Sequence, residues 1–356
     1  MLNKIKILHV LSALNSGGVE SMIKNYYEKV NNTFEFEFIV HESKIGMIEK
    51  ELLQKSCSVY HVIPKKSSIF RNFLQIYKII KKNNYDVVHC HQDLLSFNAM
   101  IAAFLNHVKT RIIHIHRSIE HYSFLDKIFR KISILFANGY FTCDNKTGVD
   151  FYGKKICESN NYYIMNNAIE FNKFKYDERK RKELRKKYHL ENKKILLVVG
   201  RLIKSKNCDF ALKILDKLKS DNFFLVFIGD GDYKEQIISS INKMSLSNNI
   251  IILPPTNCIN DFYSMADILL FPSYSEGFGM VAIEAQINGL PVIASKNIPR
   301  TTNIGNIEYE EYSINKWLNI IKRAKRKEIN KDECAEYNID IQSERYKKSI
   351  LRMIGD

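Results

Sequence analysis

The chain has 356 residues, 45% hydrophobic and 12% aromatic, with 54 Lys and Arg against 39 Asp and Glu for a formal charge of +15. That composition is globular and excludes a disordered or fibrous chain, and the length favours two domains, hence a cleft in which a ligand can bind. Apolar stretches such as 5–14 and 128–137 are broken by Lys, His, Ser or Arg well short of the ~20 residues that a bilayer span needs.

The first predicted element is a strand, Ile5 to Leu11. Lys4 and Lys6 beside it superficially mimic a secretion signal, but no small-residue cleavage site follows clearly, so a buried strand is the preferred reading. Further strands are expected at Phe34–Val40, Val59–Ile63, Val87–Cys90, Ile112–Ile115 and Gly139–Cys143, alternating with segments of helical period. Strands that alternate with helices predict a parallel α/β sheet. The segment from Ile164 to Phe174 breaks this rhythm and reads as a linker. The basic run Arg179–Lys187 follows, with Glu178 four residues before Lys182 and Glu183 four before Lys187, which predicts a solvated helix face and not a nucleic-acid patch. A second series of strands is expected at Ile195–Val199, Phe223–Ile228, Ile250–Leu253, Ile268–Phe271 and Val292–Ala294, and the tail beyond Trp317 reads as wholly helical and highly charged. Seven cysteines, an odd count without C-x-x-C spacing, suggest neither a disulfide framework nor a zinc site, and point to a reducing, cytosolic compartment.

In open α/β sheets ligands bind beyond the carboxyl ends of strands, so the strand-to-helix loops carry the candidates. The first loop holds Gly17 and Gly18, whose backbone amides at a helix start can approach an anion, although paired glycines are as often a plain tight turn. In the second half, Arg201 offers a planar fork and Lys206 a point charge to phosphate oxygens. A third loop carries Glu276-Gly277-Phe278-Gly279, with Glu284 about two helical turns on. Its glycines free amides for an anion, and the two glutamates offer acceptors for sugar or ribose hydroxyls.

These motifs resemble those of the glycosyltransferase family 4 (group 1) enzymes of GT-B fold, especially those that build bacterial exopolysaccharide or capsule. The similarity runs through Leu8-His9-Val10-Leu11, Gly17-Gly18-Val19-Glu20, Val88-His89-Cys90-His91, His114-Ile115-His116, Asn167-Ala168-Ile169-Glu170, Gly200-Arg201, Lys206-Asn207, Gly229-Asp230-Gly231 and the Glu276 to Glu284 motif. The resemblance implies an α/β architecture of two doubly wound Rossmann-like domains facing across a cleft. An acceptor-binding domain (1–168) would be followed by a nucleotide-sugar-binding domain (169–335) and a last helix (336–356) that crosses back to the first domain. It also implies that Arg201 and Lys206 neutralise the donor diphosphate, Glu284 binds the ribose, and Glu276 with the Gly277 to Gly279 amides, Phe278 included, holds the transferred sugar. Asn257 would lie near the base, and His116 near the reacting sugar.

The implied reaction is transfer of a hexosyl group with retention from a nucleotide sugar, a UDP-sugar in the first instance, to a glycan or lipid-linked glycan acceptor. No cofactor and no metal are expected, and Asp230-Gly231-Asp232 reads as the glycine turn after a strand and not as a D-x-D metal motif. The alternative is a non-catalytic sugar-binding subunit of a glycosyltransferase complex. No nucleic-acid motif is present. The expected location is the cytoplasm, with an anionic membrane surface as a further partner for the basic amphipathic segments Ile69–Lys82 and Phe124–Phe136, although such helices ordinarily pack on their own sheet.

Overall fold

The computed structural model describes residues 4–15, 17–116, 122–276, 278–330 and 332–355. The chain divides into two compact units, Met1–Ile169 with Glu336–Asp356, and Glu170–Ala335.

The first unit is a seven-stranded sheet in the order β3-β2-β1-β4-β5-β6-β7. Its strands are β1 (Ile5–Val10), β2 (Phe34–Val40), β3 (Val59–His61), β4 (Val87–Cys90), β5 (Thr110–Ile115), β6 (Gly139–Thr142) and β7 (Tyr162–Ile164). Between them run α1 (Gly18–Val30), α2 (Met47–Gln54), α3 (Ile69–Asn83), α4 (Phe97–Leu105), α5 (Phe124–Phe136), α6 (Asn145–Tyr152) and α7 (Lys154–Cys157). All described pairings are parallel. The strands are apolar on both faces because helices cover both. Ile7, Val87 and Ile112 enter one core, while their neighbours Leu8, Val88 and Ile113 enter the other. Helix starts follow the local chemistry: Ser68 accepts from Arg71 N to open α3, and Ser123 and Asp126 form a reciprocal capping box on α5.

The second unit opens with α8 (Glu178–Lys187), started by Asp177, whose carboxylate accepts from the Arg179 and Lys180 amides. Its sheet has six strands in the order β10-β9-β8-β11-β12-β13. These are β8 (Lys194–Val199), β9 (Phe223–Ile228), β10 (Ile250–Leu253), β11 (Ile268–Phe271), β12 (Val292–Ser295) and β13 (Ile307–Glu310), connected through α9 (Cys208–Leu218), α10 (Lys234–Lys243), α11 (Ile259–Met265) and α12 (Met280–Ile287). Helix α13 (Ile314–Arg323) follows and buries Trp317 in the core with Phe210 and Leu270. The final helix, α14 (Ile339–Ile354), belongs to the first unit, where Ile339, Tyr346 and Ile350 join the core against α1.

Three expectations need correction. The tail beyond Trp317 is not wholly helical: α13 ends at Arg323, residues 324–330 are irregular, and a 3-10 turn over Asp332–Tyr337 precedes α14. Two edge strands, β7 and β13, carry no strong apolar run, since an edge is only partly covered. The basic face of α8 is not simply solvated. Arg181 and Arg185 pair with Asp267 at 2.5 and 2.7 Å and donate to the carbonyls of Ser264, Met265 and Ala266, the groups that the end of α11 leaves without helical partners. Glu178 does meet Lys182, at 3.6 Å, and Lys180 meets Glu183 at 3.2 Å.

Candidate active site

In the second sheet the order reverses between β8 and β11, and a ligand binds outside the carboxyl ends of strands at such a point. Two loops meet there, residues 200–207 after β8 and 272–279 after β11, tied by the Tyr274 amide donating to the Ser205 carbonyl at 2.8 Å. Lys206 donates to Glu276 Oε1 at 2.5 Å, with both side chains largely buried. The Lys206 ammonium also lies 5.7 Å from the centre of the Phe271 ring. Arg201 is exposed, and its guanidinium makes no hydrogen bond or ion pair among the described residues. A hollow lined by Gly200, Arg201, Lys206, Phe271 and Ser273 runs between the loops. The Ser273 hydroxyl is buried in its wall without a partner among the described residues.

Backbone crowding fixes this shape. A Cβ on Gly229 would lie 1.9 Å from the Gly200 carbonyl oxygen, and one on Gly231 would lie 2.4 Å from that of Leu202. The Leu202 amide donates to the Asp230 carbonyl at 2.9 Å, so the Gly229-Asp230-Gly231 turn is the backing of the Arg201 loop. Asp230 caps the Gly231 amide and faces Lys234 at 3.5 Å, and no described cluster of metal-ligating groups includes it.

Gly279 caps α12 with φ +91°, and a Cβ there would meet Thr302 at 3.0 Å and Phe271 at 3.3 Å. It has no side chain to cap the first amides of α12, of which that of Ala282 donates back to the Gly279 carbonyl at 2.9 Å. Phe278 precedes it, half-buried; Gly277 lies outside the described residues. On the second turn of α12, Glu284 accepts from the Tyr263 hydroxyl at 2.7 Å. Burial raises the Glu284 carboxyl above its ordinary value, opposed by that hydrogen bond and by Lys173. Asn257 stands apart, exposed after β10, an edge strand two places from β8.

In the first unit, Gly17 caps α1 with extended backbone, and the space a Cβ of Gly17 would take is filled by the Glu20 carboxylate at 2.2 Å, while Gly18 is open. The α1 amide end is thus already approached by an acid. His116 follows β5, half-buried, its amide donating to Asp93 Oδ1 at 3.2 Å. It does not stand alone. His91 Nδ1 lies 2.9 Å from His116 Nε2, and His9 Nδ1 lies 3.0 Å from His91 Nε2. Burial pushes the His9 and His116 imidazoles down to about 3, and those of His89, His91 and His114 well below their ordinary value.

The expectations singled out His116 alone of this group, although the H-x-H spacings at 89–91 and 114–116 put each pair on one face of its strand. Tyr263 and Ser273 were also missed, and neither carries a sequence signal. Lys65 is a further case: buried after β3, it donates to Gln92 at the end of β4, and burial lowers its ammonium to about 8.

Residues 180–338 match the family described as glycosyl transferases group 1, and residues 39–138 match the glycosyl transferase 4-like family. The chain is 26% identical to EpsF of Bacillus subtilis (strain 168), covering 95% of this chain and 93% of EpsF. It is likewise 26% identical to the capsular polysaccharide biosynthesis glycosyltransferase CapH of Staphylococcus aureus, covering 97% of this chain and 98% of CapH. Among solved structures, HepE of Anabaena in complex with UDP and glucose superposes with a TM-score of 0.82 at 16% identity, over 97% of this chain and 99% of that one. The chain therefore belongs to the glycosyltransferases, carrying a group 1 domain and a 4-like domain on the two parallel sheets of a GT-B fold.

Proposed function

We propose that the chain is a retaining hexosyltransferase that moves a sugar from a nucleoside-diphosphate sugar, a UDP-sugar in the first instance, to a glycan or lipid-linked glycan acceptor in bacterial surface polysaccharide synthesis. The observation that carries this is the pairing of Lys206 with Glu276, beside the free Arg201, at the β8/β11 switch point and next to the glycine-capped start of α12. The solved structure of HepE with UDP and glucose supports the donor class, and CapH, by its name, supports the setting.

In this reading the donor diphosphate lies over the hollow between the two loops. Arg201 and Lys206 take up the negative charge that grows on the leaving diphosphate as the glycosidic bond breaks, and fixed cations so placed lower the barrier because they need no reorganisation. Binding releases Lys206 in part from Glu276, which frees that carboxylate for the sugar hydroxyls. The amides around Gly277 to Gly279 and Phe278 hold the sugar, Glu284 accepts from ribose hydroxyls with Tyr263 fixing its orientation, and Asn257 lies toward the base. Gly17, Gly18 and His116 are the first unit's own candidates for contact with a sugar or phosphate oxygen, His116 through a neutral ring that can donate or accept. The departing phosphate helps to deprotonate the acceptor, and no metal is needed at the diphosphate.

A lipid-linked acceptor is reached at an anionic membrane face. Phe70 on α3 and Phe124 on α5 are 68% and 77% exposed, with Arg71, Lys127 and Lys131 nearby in sequence. No described helix is long and apolar enough to cross a membrane. Salt-sensitive sedimentation with anionic but not neutral vesicles is expected, and its absence removes membrane docking from the proposal.

The test of the central reading is release of free nucleoside diphosphate from a panel of nucleotide sugars, comparing the native chain with Arg201→Ala and Glu276→Ala. One donor turned over by the native chain, with activity lost in both variants, is the expected result. Binding of a donor without turnover under any acceptor condition would favour a non-catalytic subunit, and no binding at all would remove the site assignment.

A further inference from the structure

Five histidines occupy one face of the first sheet at the carboxyl ends of its three adjacent strands β1, β4 and β5. His9 and His89 sit opposite each other in register, and His114 and His116 lie two residues apart on the next strand and just beyond its end. Their rings stack closely, His89 on His91 at 4.2 Å and His114 on His116 at 4.0 Å between centroids. Each neutral imidazole carries one donor and one acceptor that need partners when buried. His9, His91 and His116 form one hydrogen-bonded row. That row leaves His9 Nε2, His89 Nε2, His116 Nδ1 and both nitrogens of His114 buried without a partner among the described residues. So many orphaned nitrogens in one place call for a guest that accepts lone pairs.

One nitrogen from each of His91, His114 and His116 lies within 4.8 Å of the others. Tetrahedral coordination with metal–nitrogen bonds of ~2.0–2.1 Å asks for nitrogens roughly 3.4 Å apart, which a soft turn of each ring about χ2 supplies. Imidazole ligands suit zinc, copper, iron and nickel, and not the oxygen-seeking magnesium, calcium or manganese. A ligating histidine is ordinarily held from behind through its second nitrogen. His91 has this support already, since its Nε2 meets His9 Nδ1 while its Nδ1 faces His116.

We propose that His91, His114 and His116 hold a zinc-class divalent transition-metal ion, oriented through His9, with the fourth coordination position left to an oxygen ligand beside half-buried His116. Three imidazoles and one open position are the donor set of metal sites that bind or polarise an oxygen, whereas closed structural sites use four protein ligands. The inference rests on the histidine cluster; it shares His116 with the proposed function, but its metal readouts do not depend on the donor site in the second unit.

The test uses the full-length chain without a histidine tag, stripped with chelator and dialysed against Zn2+ in the presence of excess Mg2+. Atomic emission should find about one zinc per chain, the stoichiometry of a single three-histidine site. Replacing Zn2+ by Co2+ should give the intense visible absorption of a four-coordinate nitrogen site. His114→Ala and His116→Ala should lose both signals, and the exposed His107→Asn should keep them. His9→Phe should bind about 10–100-fold more weakly, as expected when a supporting partner of a ligand is removed. Circular dichroism establishes whether each variant is folded, and where one is not, the native chain decides by itself. Failure of the native chain to take up zinc, a Co2+ spectrum of the weak octahedral kind, or full uptake by folded His114→Ala overturns the proposal. Loss of donor turnover in the Arg201 variant bears on the other unit and leaves it untouched.

Discussion

Gly229→Ala offers a sharp test of how the donor loop is built. The added Cβ would lie 1.9 Å from the Gly200 carbonyl oxygen, and the backbone there has φ +156°, which L side chains rarely adopt. Relieving the clash requires the two loops to part by roughly 1 Å, and overpacking of this kind costs about 1–3 kcal/mol. The backbone strain adds about 1–3 kcal/mol. We expect a loss of about 2–6 kcal/mol, and at ~2–4 °C per kcal/mol for a domain of this size the melting transition should fall by about 4–24 °C. Trp317 is the only tryptophan and is buried in the second unit, so its fluorescence reports that unit's unfolding directly. Because Gly200 and Arg201 move with the loop, donor affinity should fall about tenfold or more even in the fraction that stays folded, one unit of tenfold being ~1.4 kcal/mol. Gly18→Ala is the internal contrast: nothing lies within 4 Å of its Cβ, and it should be neutral or stabilising by about 0.4–1 kcal/mol. A Trp317 transition in Gly229→Ala within about 2 °C of the native value, less than one kcal/mol on the same scale, would refute the reasoning.

Lys206→Met removes the partner of a largely buried Glu276 and should lower turnover about 10²–10³-fold, the size found for loss of one donor to a developing charge, as read by steady-state kcat on the donor that the nucleotide-sugar panel selects. An unchanged kcat would remove Lys206 from the chemistry. Tyr263→Phe takes away the hydroxyl that steadies Glu284 and should weaken nucleotide binding by about 1 kcal/mol, or roughly fivefold, in calorimetric titration; equal affinity would detach Glu284 from ribose recognition. Acid should destabilise the first unit of the metal-stripped chain. Above the unfolded histidine value of 6.5 neither state is protonated, and below it the unfolded chain takes up protons that His9 and His116, held down to about 3, do not. Stability is therefore complete at pH 7 and falls as pH drops towards 3, by about 1.4 kcal/mol per unit for each ring, or about 2 kcal/mol each by pH 5. Urea denaturation at pH 7.5 and 5.0 checks this, with His116→Phe expected to flatten the dependence; identical midpoints at the two pH values would count against it.

The central strands were legible because helices cover them on both faces, so β1, β4, β8 and β11 read as short runs of Ile, Leu and Val with sharp ends. The edges were not. Tyr162–Ile164 and Ile307–Glu310 are partly exposed and owe their conformation to the neighbouring strand, a partner that local sequence does not reveal. The same division holds in the site. Charged residues beside glycine turns could be read as candidates, and the pairing of Lys206 with Glu276 across 70 positions follows only once β8 and β11 are neighbours. The inward turn of Arg181 and Arg185 depended on where α11 ends its carbonyls, and helical spacing alone pointed them at solvent. Single histidines gave little warning of a cluster, because its members come from three strands that sequence order separates by 107 residues.

Helix α14 has a consequence for the way the chain acquires its structure during synthesis. The first unit contains residues up to Ile169 and resumes only at Glu336, and the two crossings are stitched together by Ile169 and Ile339, each amide donating to the other segment's carbonyl. A ribosome therefore completes every strand of the first sheet long before it delivers Tyr346 and Ile350, which close that sheet's core. In the interval the apolar face under α1 lacks its cover while the second unit is being made. The domain begun first is thus finished last, and protection of that uncovered face, by a chaperone or by the ribosome surface, would matter most for nascent chains that end between residues 170 and 335.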